Sequence, residues 1–390
     1  MSGSPAAEDW ERLRRWPQPL SLDLARAPLT AFDFTQLTQL PGLRGLGLAR
    51  TQLGDEQLTQ LCGLQDLREL NLTHTNITDV GMQRIGALTQ LEILNLLDNG
   101  LSDASLVHVG ELDHLTELHI SGLRDVNVSE TIRRAHLQVR LTRHGIRNLS
   151  RLKALQVLDI QESSIRGATL NDFASLDQLR EIYLVGTHLG VLDMPTRLPR
   201  LRALSLTRLD LSDEDFLPLA QLRGLRRLHL VDNRGIRGRL LLALGKLPHL
   251  RVLHLGFTGL KDNLTGLETL DGLRELRLNG APITSRALRH IRGLKGLESL
   301  DLEETNVNSE GLVWLKGLRE LRFLNMNSTS VDDRGLRALQ GLTKLEDLLI
   351  GGTRCTCAGV DALKRTLPAV GTDLAAGRGC PSPTWNPGRQ

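Results

Sequence analysis

The sequence predicts an α/β solenoid, a stack of short parallel strands returned by short helices, and three observations predict it. A Leu-x-x-Leu-x-Leu pattern recurs at a step of 24 residues. Residues that cap helices follow the copies about ten positions later. The 390 residues hold only 6 Phe, 4 Trp and 1 Tyr, so the core they build is aliphatic.

The repeat carries most of the argument. Leu67-x-x-Leu70-x-Leu72-x-x-Thr75-x-Ile77 recurs as Leu91-x-x-Leu94-x-Leu96-x-x-Asn99-x-Leu101 and as Leu297-x-x-Leu300-x-Leu302-x-x-Thr305-x-Val307. The first position falls at Leu43, Leu67, Leu91, Leu115, His136, Leu155, Leu179, Leu201, Leu225, Leu250, Leu273, Leu297, Leu321 and Leu345, after a degenerate copy at Pro19, for 15 expected copies. Leu-x-Leu alternation places both leucines on one face of a strand and the intervening residue on the other. Thr78-Asp79, Ser102-Asp103, Ser212-Asp213 and Asn308-Ser309 then supply N-cap chemistry for the return helices. One repeat cannot bury its apolar face alone, so the copies stack into a continuous core.

On these residues the chain resembles the leucine-rich repeat family over positions 19 to 367. It is most similar to the intracellular ribonuclease-inhibitor-like and F-box-type repeats, through Ile77-Thr78-Asp79-Val80-Gly81-Met82 and Val331-Asp332-Asp333-Arg334-Gly335-Leu336. The resemblance implies a right-handed horseshoe with strands on the concave face and helices on the convex face. The Asn that forms a ladder in that family is mostly Thr here, as at Thr51, Thr75, Thr258, Thr305 and Thr329, with Asn only at Asn99 and Asn233. A hydroxyl makes fewer bonds than an amide.

The ends read as caps. Residues 1–18, with Trp10, Leu13 and Trp16, form an N-terminal cap too short for an F-box; 19–367 are the solenoid; 368–390, after Leu363 and Leu367, are a C-terminal cap and tail. Met1 to Pro19 has acids, arginines and prolines where a signal peptide needs an apolar run, and no stretch approaches the ~18 apolar residues of a membrane span. Four cysteines in this length predict a reducing, cytoplasmic setting. Arginine far outnumbers lysine, which suggests a GC-rich bacterial genome.

The outward strand positions map a candidate binding surface. The central column runs Asp23, Gly47, Asn71, Asn95, His119, Arg140, Asp159, Tyr183, Ser205, His229, His254, Arg277, Asp301, Asn325, Leu349. Beside it lie Arg143, Arg208, Phe257, Glu303 and Glu304. The expected contact set is Arg140, Arg143, Tyr183, Arg208, His229, His254, Phe257, Arg277, Asp301, Glu303 and Glu304, with the two aromatics as anchors, since aromatic and Arg side chains dominate interface energies. Residues 123–153 carry eight basic and two acidic residues, a second basic stretch spans Arg223 to Arg251, and Glu275, Asp301, Glu303, Glu304 and Asp347 are acidic. A basic middle and an acidic C-terminal third of the concave face are therefore expected, a pattern that steers a dipolar partner.

Chemistry is not expected. His229 and His254 fall on neighbouring rungs near Asp232, but no HExxH or CxxC spacing accompanies the pair. The chain has no phosphate loop, dinucleotide fingerprint or nucleophile elbow. Cys355 falls on a core phase, and a Cys357–Cys380 staple is left open. The net charge of +3 argues for neither nucleic acid nor membrane as partner. The expectation is a monomeric, non-catalytic scaffold without cofactor that binds a protein or peptide on its concave face. The alternatives are a subunit delivering a peptide to a modifying enzyme and a bacterial effector acting in a host cell.

Overall fold

The computed structural model describes residues 7–15, 19–29, 32–121, 141–163, 165, 168–187 and 198–373. The chain divides into two compact units, Met1–Leu201 and Arg202–Gln390.

In the first unit, seven strands lie parallel in sequence order: β1 (Leu20–Asp23), β2 (Leu43–Gly47), β3 (Glu69–Asn71), β4 (Ile93–Leu96), β5 (Glu117–Ser121), β6 (Val157–Gln161) and β7 (Glu181–Val185). In the second unit, β8 (Ala203–Thr207), β9 (Arg227–His229), β10 (Val252–His254), β11 (Glu275–Arg277), β12 (Ser299–Asp301), β13 (Phe323–Asn325), β14 (Asp347–Leu349) and β15 (Gly371–Thr372) do the same. Among the described residues the connections carry short helices, for example Asp103–Val109 and Asp333–Ala338. The α/β leucine-rich-repeat solenoid expected from the repeat is the observed fold. No helix among the described residues is long and apolar enough to cross a membrane.

The core is a column of aliphatic side chains. Leu228, Leu253, Leu276, Leu300, Leu324 and Leu348, in register across β9 to β14, are fully buried. Burying a leucine stabilises by about 1.5–3 kcal/mol, and the alternation sends their neighbours to the open face.

The polar ladder explains the mixture of Asn and Thr. Asn233 lies between repeats: its Nδ2 donates to Leu206 O (2.7 Å) and to Leu230 O (3.0 Å), and its Oδ1 accepts from the Leu209 N–H (3.1 Å). Asn99 likewise reaches back to Leu72 O (2.8 Å) as well as to Leu96 O (3.1 Å). Most of the threonines close their own turn, as Thr305 Oγ1 to Leu302 O and Thr329 Oγ1 to Met326 O, each 2.6 Å, whereas Thr75 Oγ1 also reaches Asn99 Oδ1 at 3.0 Å and Thr187 Oγ1 is buried without a partner among the described residues.

The expected helix caps are present. Thr78 and Ser102 accept from the backbone N–H of Val80 and Ala104, and Ser212 pairs with Asp215 in a capping box. The aspartates beside them do more than support a cap. Asp79 Oδ1 accepts from the Ser102 N–H at 2.9 Å and Asp103 Oδ1 from the Thr142 N–H at 2.7 Å, so each aspartate ties its turn to the next repeat.

One part of the repeat count is corrected. β5 pairs directly with β6, Glu117 against Val157 and His119 against Asp159, so no strand intervenes at His136. The steps of 21 and 19 are one 40-residue repeat, a 24-residue unit enlarged by 16 residues. Leu141 holds the phase of Ile77 and Leu101, with Thr142 capping the helix Arg143–Asn148. The fifteenth strand is instead β15, beyond the last copy read from sequence.

At the N-terminus the helix Ala7–Arg14 buries Trp10, whose ring lies 5.5 Å from that of Phe32; Phe32 in turn meets Phe34 edge-on at 5.0 Å. Trp16 lies outside the described residues. At the other end Leu363, Leu367 and Val370 are buried. Cys355 is a buried free thiol, pushed up to about 11 by burial, whereas Cys357 is disulfide-bonded. Cys380 lies outside the described residues.

Candidate functional site

The open face of each unit is lined by the strand residues between core leucines and by the turn that ends each strand. That turn places residues in the left-handed region, including Arg208 (φ 57°), Phe257 (φ 55°) and Glu304 (φ 55°). The conformation is unfavourable for residues with a Cβ. It is held because the backbone continues the ladder: the N–H groups of Arg208, Phe257 and Glu304 donate to Val231 O, Asn279 O and Asn327 O at 2.8–3.0 Å.

In the second unit the central column is in register as Ser205, His229, His254, Arg277, Asp301, Asn325 and Leu349. The structure thus brings together the sequence-expected His229, His254, Arg277 and Asp301. The rings of His229 and His254 stack, 4.1 Å apart and 6° from parallel. Glu275, on the adjacent column, joins the two strands: its Oε1 lies 2.7 Å from His254 Nε2 and accepts from Arg277 Nε at 2.8 Å. Those partners, His254 foremost, hold the Glu275 carboxyl down at about 2. Burial and then the His254 charge push His229 down to about 4.

The acidic end follows directly. Burial raises the Asp301 carboxyl, its Oδ1 accepts from the Glu303 N–H at 3.1 Å, and the Glu303 charge adds to the rise. Glu303 Oε2 accepts from Asn325 Nδ2 at 3.0 Å, and Glu304 is exposed. Phe257 is 44% exposed, with one ring edge against Gly280.

In the first unit His119 Nδ1 lies 3.2 Å from Asp159 Oδ2, which also accepts from Gln161 Nε2 at 2.9 Å. The hydrogen bond to Asp159 raises the His119 pKa. Asp159 Oδ1 is buried without a hydrogen-bond partner. Tyr183, in register with Asp159, is half-buried and donates its hydroxyl to Glu181.

One expected residue, Arg143, is not on this surface, and another, Arg140, lies outside the described residues. Arg143 opens a return helix, where its Nε is 2.9 Å from Asp172 Oδ2. The enlarged repeat moves it from the strand phase to the helix phase. Arg147 also faces Asp172 (3.5 Å), and Lys153 Nζ donates to Ser175 O (3.0 Å). The described arginines at positions 143, 147 and 151 therefore belong to the helical side, and the expected basic middle of the strand face is not formed by them.

Two pairings escape a reading of the sequence. His119 with Asp159 is hidden because an unbroken repeat count puts Arg140 between them. Glu275 reads as one acid among several, and nothing in its spacing marks it as the link between His254 and Arg277. Among the described residues no group of three or more His, Cys, Asp or Glu is placed to hold a metal ion.

A family model described as Leucine-rich repeat region matches residues 135–347, and one described as Leucine Rich repeat matches residues 63–86. No match is found among curated proteins. Among solved structures, an internalin (InlF) from Listeria monocytogenes is 20% identical, with 87% of this chain and 88% of that chain covered and a TM-score of 0.60. A leucine-rich repeat protein of Leptospira interrogans is 20% identical, with 95% and 98% covered and a TM-score of 0.56. The mouse RP105/MD-1 complex gives 17% identity, 92% and 71% coverage and a TM-score of 0.55. At these identities the likeness is one of fold.

Proposed function

We propose that this chain, which belongs to the leucine-rich repeat family, is a recognition scaffold that binds a protein or peptide on the open strand face. The observation that carries the reading is the contrast between two neighbouring columns of the second unit. The inward column is leucine at every rung from β8 to β14, whereas the outward column changes from Ser205 through His229, His254, Arg277 and Asp301 to Asn325. Packing of the core requires the first, whereas the second changes residue type at nearly every rung. Surfaces that vary while their scaffold repeats are suited to recognition.

The contact set is Tyr183, Arg208, His229, His254, Phe257, Arg277, Asp301, Glu303 and Glu304. Phe257 is an exposed aromatic in a chain with few, and such residues supply most of the binding energy at protein interfaces. Asp301, Glu303 and Glu304 read a basic element of the partner. RP105, similar in fold alone, is solved as a complex with MD-1, which lends the reading a precedent.

The test is affinity purification of the tagged chain from native lysate with mass spectrometry, comparing wild type with Tyr183→Ala/Phe257→Ala at low and moderate salt. A partner retained by the wild type and lost by the double variant is the expected result. The same partners captured by both proteins would refute the reading.

A further inference from the structure

The strand-entry edge of the second unit carries arginine on four successive repeats. Each backbone N–H donates to the carbonyl of the arginine before it: Arg226 to Arg202, Arg251 to Arg226 and Arg274 to Arg251, all at 2.8 Å. Strands bonded in this way are spaced by about 4.8 Å, so four guanidinium stems leave one edge over about 14 Å. Arg226, Arg251 and Arg274 are exposed, and Arg202 is half-buried.

The remainder of the same ladder is different. Beyond Arg274 it runs Glu298, Arg322, Glu346, each N–H again bonded to the preceding carbonyl at 2.8 Å. There the charges alternate and pair, Arg274 with Glu298 at 3.7 Å and Arg322 with Glu346. In the first unit Arg68 is followed by Glu92, and these also pair. Like charges on adjacent strands repel, whereas opposite charges stabilise. The repeats from Arg202 to Arg274 do not follow the alternation seen from Arg274 to Glu346.

The arginines are also held in position. Arg251 Nη1 donates to Gly272 O at 2.9 Å and Arg274 Nη1 to Gly296 O at 2.6 Å. The guanidinium groups lie close over those glycines: a Cβ there would stand 1.6 Å and 2.2 Å from the two nitrogens and would displace them. A guanidinium has five N–H donors, so one bond to a turn leaves others for a carboxylate.

We propose that the ladder Arg202–Arg226–Arg251–Arg274 is a docking edge for a partner helix that carries a stripe of carboxylates on one face. Side chains at i, i+3 and i+4 of a helix stand about 5–6 Å apart, which matches the pitch of the arginines. A forked guanidinium takes a carboxylate in two parallel bonds. The entry segments 198–202, 222–227, 247–251 and 270–274 contain no Phe, Tyr or Trp, and single-stranded nucleic acid sites depend on base stacking, so the acidic helix is the occupant favoured. This edge is separate from the Phe257 surface and does not depend on the reading of the open face.

The test uses the full chain and fluorescence anisotropy with three labelled probes. One is a designed Ala/Glu helix of about 20 residues with glutamates along one face. The second has the same composition with the glutamates spread around the helix, and the third is a single-stranded oligouridylate. The striped helix should bind at least about tenfold tighter than the dispersed one, and more weakly as salt is raised. Arg226→Glu should weaken it about tenfold with an unchanged melting temperature, Arg226→Lys should recover part of the loss, and Phe257→Ala should leave it unaltered. No binding of the striped helix, equal binding of the two peptides, tighter binding of the oligouridylate, or indifference to Arg226→Glu would each overturn the proposal.

Discussion

The imidazole of His229 lies flat on that of His254, 4.1 Å away and 6° from parallel, while His254 Nε2 is held by Glu275 at 2.7 Å. A proton on His229 therefore faces both burial and the neighbouring ring, and its pKa is held down at about 4 from an ordinary 6.5. The same position is on the open face, so the pair couples the acid–base state of the surface to stability.

That coupling has a definite sign. Between pH 6.5 and 4 the unfolded chain binds a proton at His229 that the folded chain refuses, so stability is full above pH 6.5 and falls as the pH drops toward 4. The loss from this group is at most about 3 kcal/mol. His229→Gln should flatten the fall. Thermal melts at pH 7, 5.5 and 4.5 check this, and an unchanged slope in the variant would contradict it. Glu275, held at about 2, adds its own loss only below pH 4.5.

Leu300 and Phe257 should separate folding from recognition. Leu300 is fully buried between Leu276 and Leu324, so Leu300→Ala should destabilise by about 2–5 kcal/mol in chemical denaturation. Phe257, 44% exposed, should lose partner binding on change to Ala while the melting temperature stays within about 2 °C.

Asn233→Thr tests the ladder. Threonine can close its own turn but cannot reach Leu206 O or accept from Leu209, leaving those groups buried and unpaired. A loss of about 1–3 kcal/mol is expected. A neutral effect in urea denaturation would mean that the hydroxyl type of turn is equivalent and the asparagine incidental.

Gly280→Ala tests the seat of Phe257. Gly280 has φ +66°, and a Cβ there would stand 2.4 Å from the phenyl ring. The variant should be less stable by about 1 kcal/mol or more. It should also weaken partner binding, because the ring must move; anisotropy or calorimetry with the purified partner reads the second effect.

Much of the candidate surface is legible in the amino-acid sequence. The period of two along each strand and 24 along the chain is enough to separate Leu228 from His229 and Leu253 from His254, and the register found in β8 to β14 is the one that phase implies. Arg143 departs from its expected place for a physical reason. A 16-residue enlargement within one repeat leaves two intervals, 21 and 19, that resemble short repeats, and only the direct pairing of β5 with β6 excludes a rung between them.

By itself the sequence determined the solenoid, its aliphatic core and which side chains leave it, because hydrophobic period dictates the face on which each residue emerges. Tertiary structure alone decided what those emerging residues do to one another. Glu275 meets both His254 and Arg277, His119 meets Asp159 across 40 residues, and four arginines fall on one bonded edge. Such pairings depend on rotamer, on register between strands and on the local loss of water, and those are set only when neighbouring repeats pack.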